Sequence, residues 1–400
     1  MKLFDELKWR GMIQDISSPE IEKMINDGCI TFYWGTDPTA DSLHIGHYTN
    51  LVLARNFKKH GHNPILLVGG ATALIGDPRG KGERPLLSKE EISYNFNKIK
   101  AQVSGITGCE IVNNFDWTKD IDVISFLRDY GKHFTINYML DKDKVRRQLE
   151  HGLSYTEFSY MLLQALDFKY LYETRGVTLQ IAGSDQWGNI TSGIELIRKT
   201  LGVEAYGMTM PLVLDENGNK IGKSEGNAVW LDKEKFSPYK MYQYLINTAD
   251  SVVIDHLKKM TLLSKEEIEE LERKLIEKPE ARDAAKALAF EVVKDIHGED
   301  EALKAQKTSE EVFTKGYSEE GMPQVEITLE ENMNIMDLLV KVEIAPSKSE
   351  ARRLVVGNGI SLNQEKVIDP NLQITEELFN KGNVIVSKGK KVHIKVNLVK

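Results

Sequence analysis

Cysteine is nearly missing from these 400 residues: only Cys29 and Cys109 occur, with no paired spacing. Two isolated thiols build neither a disulfide framework nor a zinc cluster within one chain, and they fit a reducing cytoplasm. No run of about 18 apolar residues, the length a helix needs to cross a bilayer, occurs anywhere. The opening Met1-Lys2-Leu3-Phe4-Asp5-Glu6-Leu7-Lys8 is too charged for a secretory apolar segment. A soluble, cytoplasmic chain with no membrane partner is therefore expected. Internal repeats and low-complexity tracts are absent too. So is any excess of positive charge, since the formal net charge is -8, which argues against a protein coated in nucleic acid.

That charge is unevenly spread. Residues 333–400 carry 11 Lys and Arg against 7 Asp and Glu, a surplus of four, which leaves -12 for the preceding part. A basic tail on an acidic body points to polyanion binding delegated to the tail. With 41% hydrophobic residues the chain exceeds what one core usually spans, so two or three domains are expected.

Ser18-Pro19-Glu20 reads as a helix start and Gly28 as its stop. Cys29 to Tyr33 then reads as a strand, the stretch from Gly35 to about His60 as a turn into a helix, and Pro64 to Val68 as a second buried strand. Further strand-like runs at Glu110 to Val112, Val177 to Ile181 and Met208 to Leu214 alternate with helical patterns. This predicts an α/β, doubly wound parallel sheet with ligands at the carboxyl ends of its strands. Charged helical segments follow from about Ser237, and Gly316 to Asn332 reads as a linker.

Two stretches carry phosphate chemistry. Asp37-Pro38-Thr39-Ala40-Asp41-Ser42-Leu43-His44-Ile45-Gly46-His47 puts two imidazoles three residues apart where a strand gives way to a helix, whose N-terminal N–H groups favour anions. The spacing alone fits surface or metal-binding histidines equally well. Lys220-Ile221-Gly222-Lys223-Ser224 is a cationic loop, or else a solvated one. It is not a Walker A loop: Asn217 stands where the first glycine is required, and the preceding residues read as a hairpin with an Asn217-Gly218 turn.

The helix beginning at the predicted capping box Ser154-Tyr155-Thr156-Glu157 is apolar around most of its circumference. Tyr160, Gln164 and Asp167 interrupt it at i, i+4 and i+7 and share one face. Buried polar groups need partners, because an unpaired one costs about 1–3 kcal/mol and a charge more. An internal hydrogen-bond network, a wet face, or a ligand with hydroxyl and ammonium groups would each satisfy them.

The two phosphate stretches resemble the paired signatures of class I aminoacyl-tRNA synthetases. With Tyr33, the helix residues and Gln180-Ile181-Ala182-Gly183-Ser184-Asp185-Gln186-Trp187-Gly188-Asn189, the chain resembles bacterial-type tyrosyl-tRNA synthetases almost from end to end. Ala182 departs from the glycine common there. The resemblance implies a Rossmann-like catalytic domain, an all-α domain and a small α+β alpha-L RNA-binding domain. It also implies that Tyr33 and Asp167 clasp a phenolic hydroxyl, that Tyr160, Gln164 and Asp77 hold an α-ammonium, and that Gln186 helps position the amino acid, with Asn114 in support. Asp37, Gly46, Gly183 and Asp185 would serve ATP. Thr39, His44 and His47 would bind its phosphates and ribose, and a loop with Lys81 and Arg84 would close over them with Lys220, Lys223 and Ser224. The implied partners are L-tyrosine, ATP with Mg2+, tRNA(Tyr) and a second copy in a homodimer. No dedicated metal site and no tightly bound cofactor are implied.

In the tail, Lys348, Arg352 and Arg353 share a helix flank, and Lys388, Lys390 and Lys391 lie near the end of a β-rich segment. They are candidate RNA contacts, against the alternative of an ordinary solvated basic face. The expected boundaries are 1–236 for the catalytic domain, 237–320 for the helical one, 321–332 for a linker and 333–400 for the RNA-binding domain. Tryptophanyl-tRNA synthetase and a catalytically silent RNA-binding relative are the rival readings. The longer ring of tryptophan, lacking a hydroxyl for Asp167, disfavours the first, and the intact His44, His47 and Lys223 disfavour the second.

Overall fold

A computed structural model describes residues 1–77, 87–149, 151–224, 227–315, 322–330, 332–379, 382–389 and 392–399, without the side chains of 143–144, 223–224, 227 and 312–315. Contacts divide the chain into two compact units: Met1–Asp232 with Thr248–Ala284, and Lys233–Asn247 with Ala285–Lys400. This division falls elsewhere than the expected boundaries at 236 and 320. Its reason is local, since the amphipathic helix Val253–Met260 buries Val253, Leu257 and Met260 completely within the first unit.

The first unit is built on six strands: β1 (Asp15–Ile16), β2 (Thr31–Thr36), β3 (Asn63–Val68), β4 (Glu110–Asn113), β5 (Val177–Gly183) and β6 (Tyr206–Met210). Their order is β1-β6-β5-β2-β3-β4. All neighbours are parallel except β1, which pairs antiparallel with β6 at the edge. That edge had no sequence signal, being two residues long. The last strand, expected at 208–214, lies at 206–210 because its ladder with β5 runs from Leu179↔Tyr206 to Gly183↔Met210. The consecutive Phe32, Tyr33 and Trp34 are all buried, as a parallel strand covered on both faces requires.

From β2 the chain winds outward through β3 and β4, then returns to place β5 on the other side of β2. The strand order therefore reverses between β2 and β5, and a crevice opens at their carboxyl ends. The helices of this unit include α1 (Leu3–Trp9), α2 (Ile45–Lys59), α3 (Tyr155–Arg175) and α4 (Val253–Met260). At the start of α3 the Glu157 N–H donates to Ser154 Oγ at 3.2 Å. Only this half of the predicted capping box forms, since the Glu157 carboxylate turns inward and is buried.

In the second unit, helix Pro238–Ile246 packs on helix Glu299–Lys315, with Gln243 Nε2 donating to Ser309 Oγ at 2.9 Å. The strands β7 (Gln324–Ile327), β8 (Ile360–Leu362), β9 (Glu365–Lys366), β10 (Asn383–Lys388) and β11 (Val392–Leu398) form a second sheet in the order β9-β8-β10-β11-β7. Helices Ile335–Lys341 and Lys348–Val356 share with it a core in which Ile335, Leu338, Ala351, Val355, Val386 and Val396 are fully buried. The stretch 321–332, expected to be a linker, contains β7. Its alternating Val325 and Ile327 pair it in parallel with β11, and Ile327 is buried.

Candidate active site

A cavity of about 520 Å³ opens at the carboxyl ends of β2 and β5 and reaches the N-terminus of α2. It is lined by Tyr33 and Asp37 from β2 and beyond, by Tyr160, Gln164 and Asp167 from α3, by Gly183, Asp185 and Gln186 following β5, and by Lys220 to Gly222. Residues from distant parts of the first unit thus converge on the crevice that the strand order creates.

At its inner end Asp167 is buried. Its Oδ2 accepts from Asn114 Nδ2 and its Oδ1 from Trp117 Nε1, each at 2.9 Å. Burial pushes the Asp167 carboxyl up to about 7; the two hydrogen bonds oppose that rise, and the Asp37 charge adds to it. Facing it is Tyr33, whose hydroxyl is fully buried and has no hydrogen-bond partner. Burial, then the Asp167 charge, raises the Tyr33 phenol well above its ordinary value, so it remains a proton donor. A carboxylate ready to accept stands beside an orphaned hydroxyl. A group that both donates and accepts, such as a phenol, completes both.

Gln180 of β5 is the direct cross-strand partner of Tyr33. Its Oε1 and that of Gln164 are also buried without a partner. Further along, the Tyr160 hydroxyl donates to Asp37 Oδ2 at 3.2 Å, and Thr72 Oγ1 donates to Asp37 Oδ1 at 2.7 Å. Gln186 Nε2 donates to Asp77 Oδ2 at 3.3 Å, and Asn189 Nδ2 donates to Gln186 Oε1 at 2.8 Å. Carbonyl oxygens and carboxylates therefore collect in the middle of the cavity, where a cation is favoured.

The outer end is made by α2. His44 Nδ1 accepts from the Gly46 N–H at 3.1 Å, and His47 Nδ1 accepts from the His44 N–H at 3.4 Å, so the two rings cap the helix reciprocally. Burial and the neighbouring His44 pull His47 down to about 3. A neutral imidazole that accepts at Nδ1 carries its proton on Nε2, so His47 offers a donor without charge. The backbone comes unusually close at Gly46: a Cβ there would lie 2.9 Å from His44 Cε1 and 3.1 Å from Ile221 O. Gly222, at φ +121°, stands over the same ring, and its Cβ would lie 3.1 Å from His44 Nδ1.

Among the described sequence candidates, the cavity brings together Tyr33, Asp37, Thr39, His44, Gly46, His47, Asp77, Tyr160, Gln164, Asp167, Gly183, Asp185, Gln186 and Lys220. Lys81, Arg84, Lys390 and Lys391 lie outside the described residues, as do the side chains of Lys223 and Ser224. Asn114 sits behind the wall, its Oδ1 accepting from the Ala71 N–H at 2.7 Å. Lys348, Arg352 and Arg353 are exposed on their helix in the second unit, with Lys348 paired to Asp337 and Arg353 to Glu350. Lys388 ends β10, half-buried. Sequence reasoning missed Trp117 and Thr72 and gave Gln180 no role. Gln180 had a signal, a lone amide between the apolar, buried Leu179 and Ile181. Trp117 had none, because only the fold brings it to Asp167.

A doubly wound sheet with a helix N-terminus and a cationic hairpin converging on its switch point is the architecture of a class I tRNA synthetase. Residues 26–314 match the family model for "tRNA synthetases class I (W and Y)", and residues 314–396 match the "Tyrosine--tRNA ligase SYY-like C-terminal domain". The chain is 47% identical over 411 residues to a tyrosine–tRNA ligase of Geobacillus stearothermophilus, covering 98% of each. It is 45% identical over 417 residues, 99% of each, to that of Staphylococcus saprophyticus. A C-terminally truncated mitochondrial tyrosyl-tRNA synthetase of Aspergillus nidulans superimposes with a TM-score of 0.69 at 30% identity, over 78% of this chain and 94% of that one. The chain belongs to the tyrosine–tRNA ligase family.

Proposed function

We propose that this cavity binds L-tyrosine with its phenol between Tyr33 and Asp167 and its ammonium among Tyr160, Gln164 and Asp77, with ATP laid over Gly46, Gly183 and Asp185. The observation that carries the reading is the buried Tyr33 hydroxyl without a partner beside the Asp167 carboxylate. Phenylalanine in the same place leaves both groups unsatisfied, which is how such a site rejects it. Tryptophan brings a longer ring and no hydroxyl.

The reaction is that of the family. The tyrosine carboxylate attacks the α-phosphorus of ATP, pyrophosphate leaves, and the tyrosyl group then passes from the adenylate to the 3' end of tRNA(Tyr). No protein nucleophile is needed, so the side chains position and neutralise. His47 and His44 donate hydrogen bonds to the triphosphate, Thr39 adds its hydroxyl, and Lys220 with Lys223 balances the charge that moves onto pyrophosphate. Mg2+ accompanies the nucleotide. The basic helix face of Lys348, Arg352 and Arg353 grips the tRNA backbone through salt-dependent phosphate contacts.

The chain works in the cytoplasm, and no described helix is long and apolar enough to cross a membrane. It acts as a homodimer. Exposed apolar side chains crowd the segment from Val123 to Tyr155, including Ile124 at 67% and Ile136 at 60% exposure, a density that marks an interface with a second copy. Light scattering that returns a monomer would remove the dimer. The test of the function is exchange of labelled pyrophosphate into ATP. Tyrosine must drive it and tryptophan must not, and equal exchange with both would overturn the pocket assignment.

A further inference from the structure

Helix α4 lies outside the cavity, yet one of its side chains holds the hairpin that enters it. His256 is buried, and its Nε2 sits 2.9 Å from Leu214 O. A carbonyl only accepts, so Nε2 carries the proton. Burial holds the ring below its ordinary value and hence neutral, against a weaker opposing effect of this same bond. Leu214 is the root of the hairpin: it bridges Lys220 antiparallel, and the Ile221 N–H donates to Val213 O at 3.1 Å. Beyond that root the chain delivers Lys220, Ile221 and Gly222 to the cavity.

The hairpin and α4 are also tied to α2 by two separate routes. At the N-terminal end of α2, the Ile45 N–H donates to Val229 O at 2.8 Å, and the Val229 N–H donates to Gly222 O at 3.0 Å. Toward its other end, Asn56 Nδ2 donates to Glu6 Oε1 at 3.1 Å, and the same oxygen accepts from Arg10 Nε at 2.7 Å. The buried Arg10 guanidinium then donates to Lys258 O, Thr261 O and Leu263 O at 2.6 to 3.1 Å, gathering the carbonyls at the end of α4. Through His256 the path returns to Leu214 and closes. The two attachments on α2 are about 16 Å apart, eleven residues at about 1.5 Å each.

We propose that His256 is a positioning residue for the ATP step: its bond to Leu214 O completes a part-buried polar brace that sets the Lys220–Gly222 segment against the His44–His47 end of α2. The inference rests on the assignment of these two segments to ATP. Without the bond, Leu214 O loses its tie to α4 and the hairpin is free to shift, and a displacement of about an ångström at a reacting group is costly to rate. Tyrosine sits at the inner end of the cavity, away from this contact, so its affinity is set independently.

The experiment compares the full chain with His256→Leu, which keeps the bulk and loses the donor, and His256→Gln, which keeps an N–H donor. Tyrosine affinity is read by equilibrium dialysis and adenylate formation by pyrophosphate exchange. The expected result is a fall of about fivefold to tenfold in the exchange rate of His256→Leu at unchanged tyrosine affinity, with most of the loss restored in His256→Gln. If His256→Leu fails to bind tyrosine, His256→Asn, too short to reach Leu214 O, must show the same selective fall. Full exchange in the variants that lack the bond overturns the brace alone. A loss shared equally with tyrosine affinity, or no rescue by glutamine, also overturns it. No tyrosine-dependent exchange in the unaltered chain overturns the reading of the site and the brace with it.

Discussion

Asp167→Ala removes the carboxylate that the proposed site uses to recognise a hydroxyl, and its effect can be worked through from the contacts. A hydrogen bond from a phenol to a charged acceptor contributes about 1.5–3 kcal/mol, which corresponds to roughly 10- to 150-fold in kcat/KM. The variant also strands Trp117 Nε1 and removes one of the two acceptors of Asn114 Nδ2, which keeps its bond to Thr72 Oγ1, and so loses stability. That second cost falls equally on both amino acids. The quantity to measure is therefore the ratio of kcat/KM for tyrosine to that for phenylalanine, by pyrophosphate exchange at pH 8, where a carboxyl titrating at about 7 is mostly ionised. The ratio should fall by about one to two orders of magnitude in the variant. In the unaltered chain kcat/KM for tyrosine should also decline below about pH 7, as the free carboxyl takes up its proton. A ratio unchanged within experimental error would remove Asp167 from the hydroxyl site.

The raised Asp167 value has a consequence for folding. Its folded carboxyl titrates near 7 against 3.8 when unperturbed, so the group penalises the folded state progressively from about pH 4 to 7 and by a constant amount above. The Tm of Asp167→Asn relative to the unaltered chain should therefore rise between pH 5 and pH 8, by an amount equivalent to roughly 2–3 kcal/mol, and a pH-independent difference would refute the buried charge. Gly46→Ala should slow adenylate formation at least about tenfold while leaving tyrosine affinity intact, because the new methyl meets His44 and Ile221 O; stopped-flow tyrosine binding beside exchange kinetics would check it. Ending the chain at Lys315, which removes the whole five-stranded sheet including β7, should spare pyrophosphate exchange and weaken aminoacylation of tRNA, most clearly at higher salt. Loss of both activities would contradict that separation.

Much was legible in the residues themselves. Local chemistry determined the helix running from the His44–His47 signature to His60, the buried β2 and β3, the polar face of α3 and the basic charge surplus of the tail. Each depends on neighbours within a turn or a strand, and hydrophobic periodicity records such neighbours directly. The two-residue β1, the strand within the expected linker and the return of α4 to the first unit were decided by the tertiary structure, because partners distant in sequence supply their pairing or burial. The site divides in the same way. Tyr160, Gln164 and Asp167 announced themselves as polar groups on an apolar helix, whereas Trp117 on Asp167 and His256 on Leu214 O carry no mark in the sequence. A single hydrogen bond across 42 residues leaves no periodicity behind, and only folding brings its donor and acceptor within 3 Å.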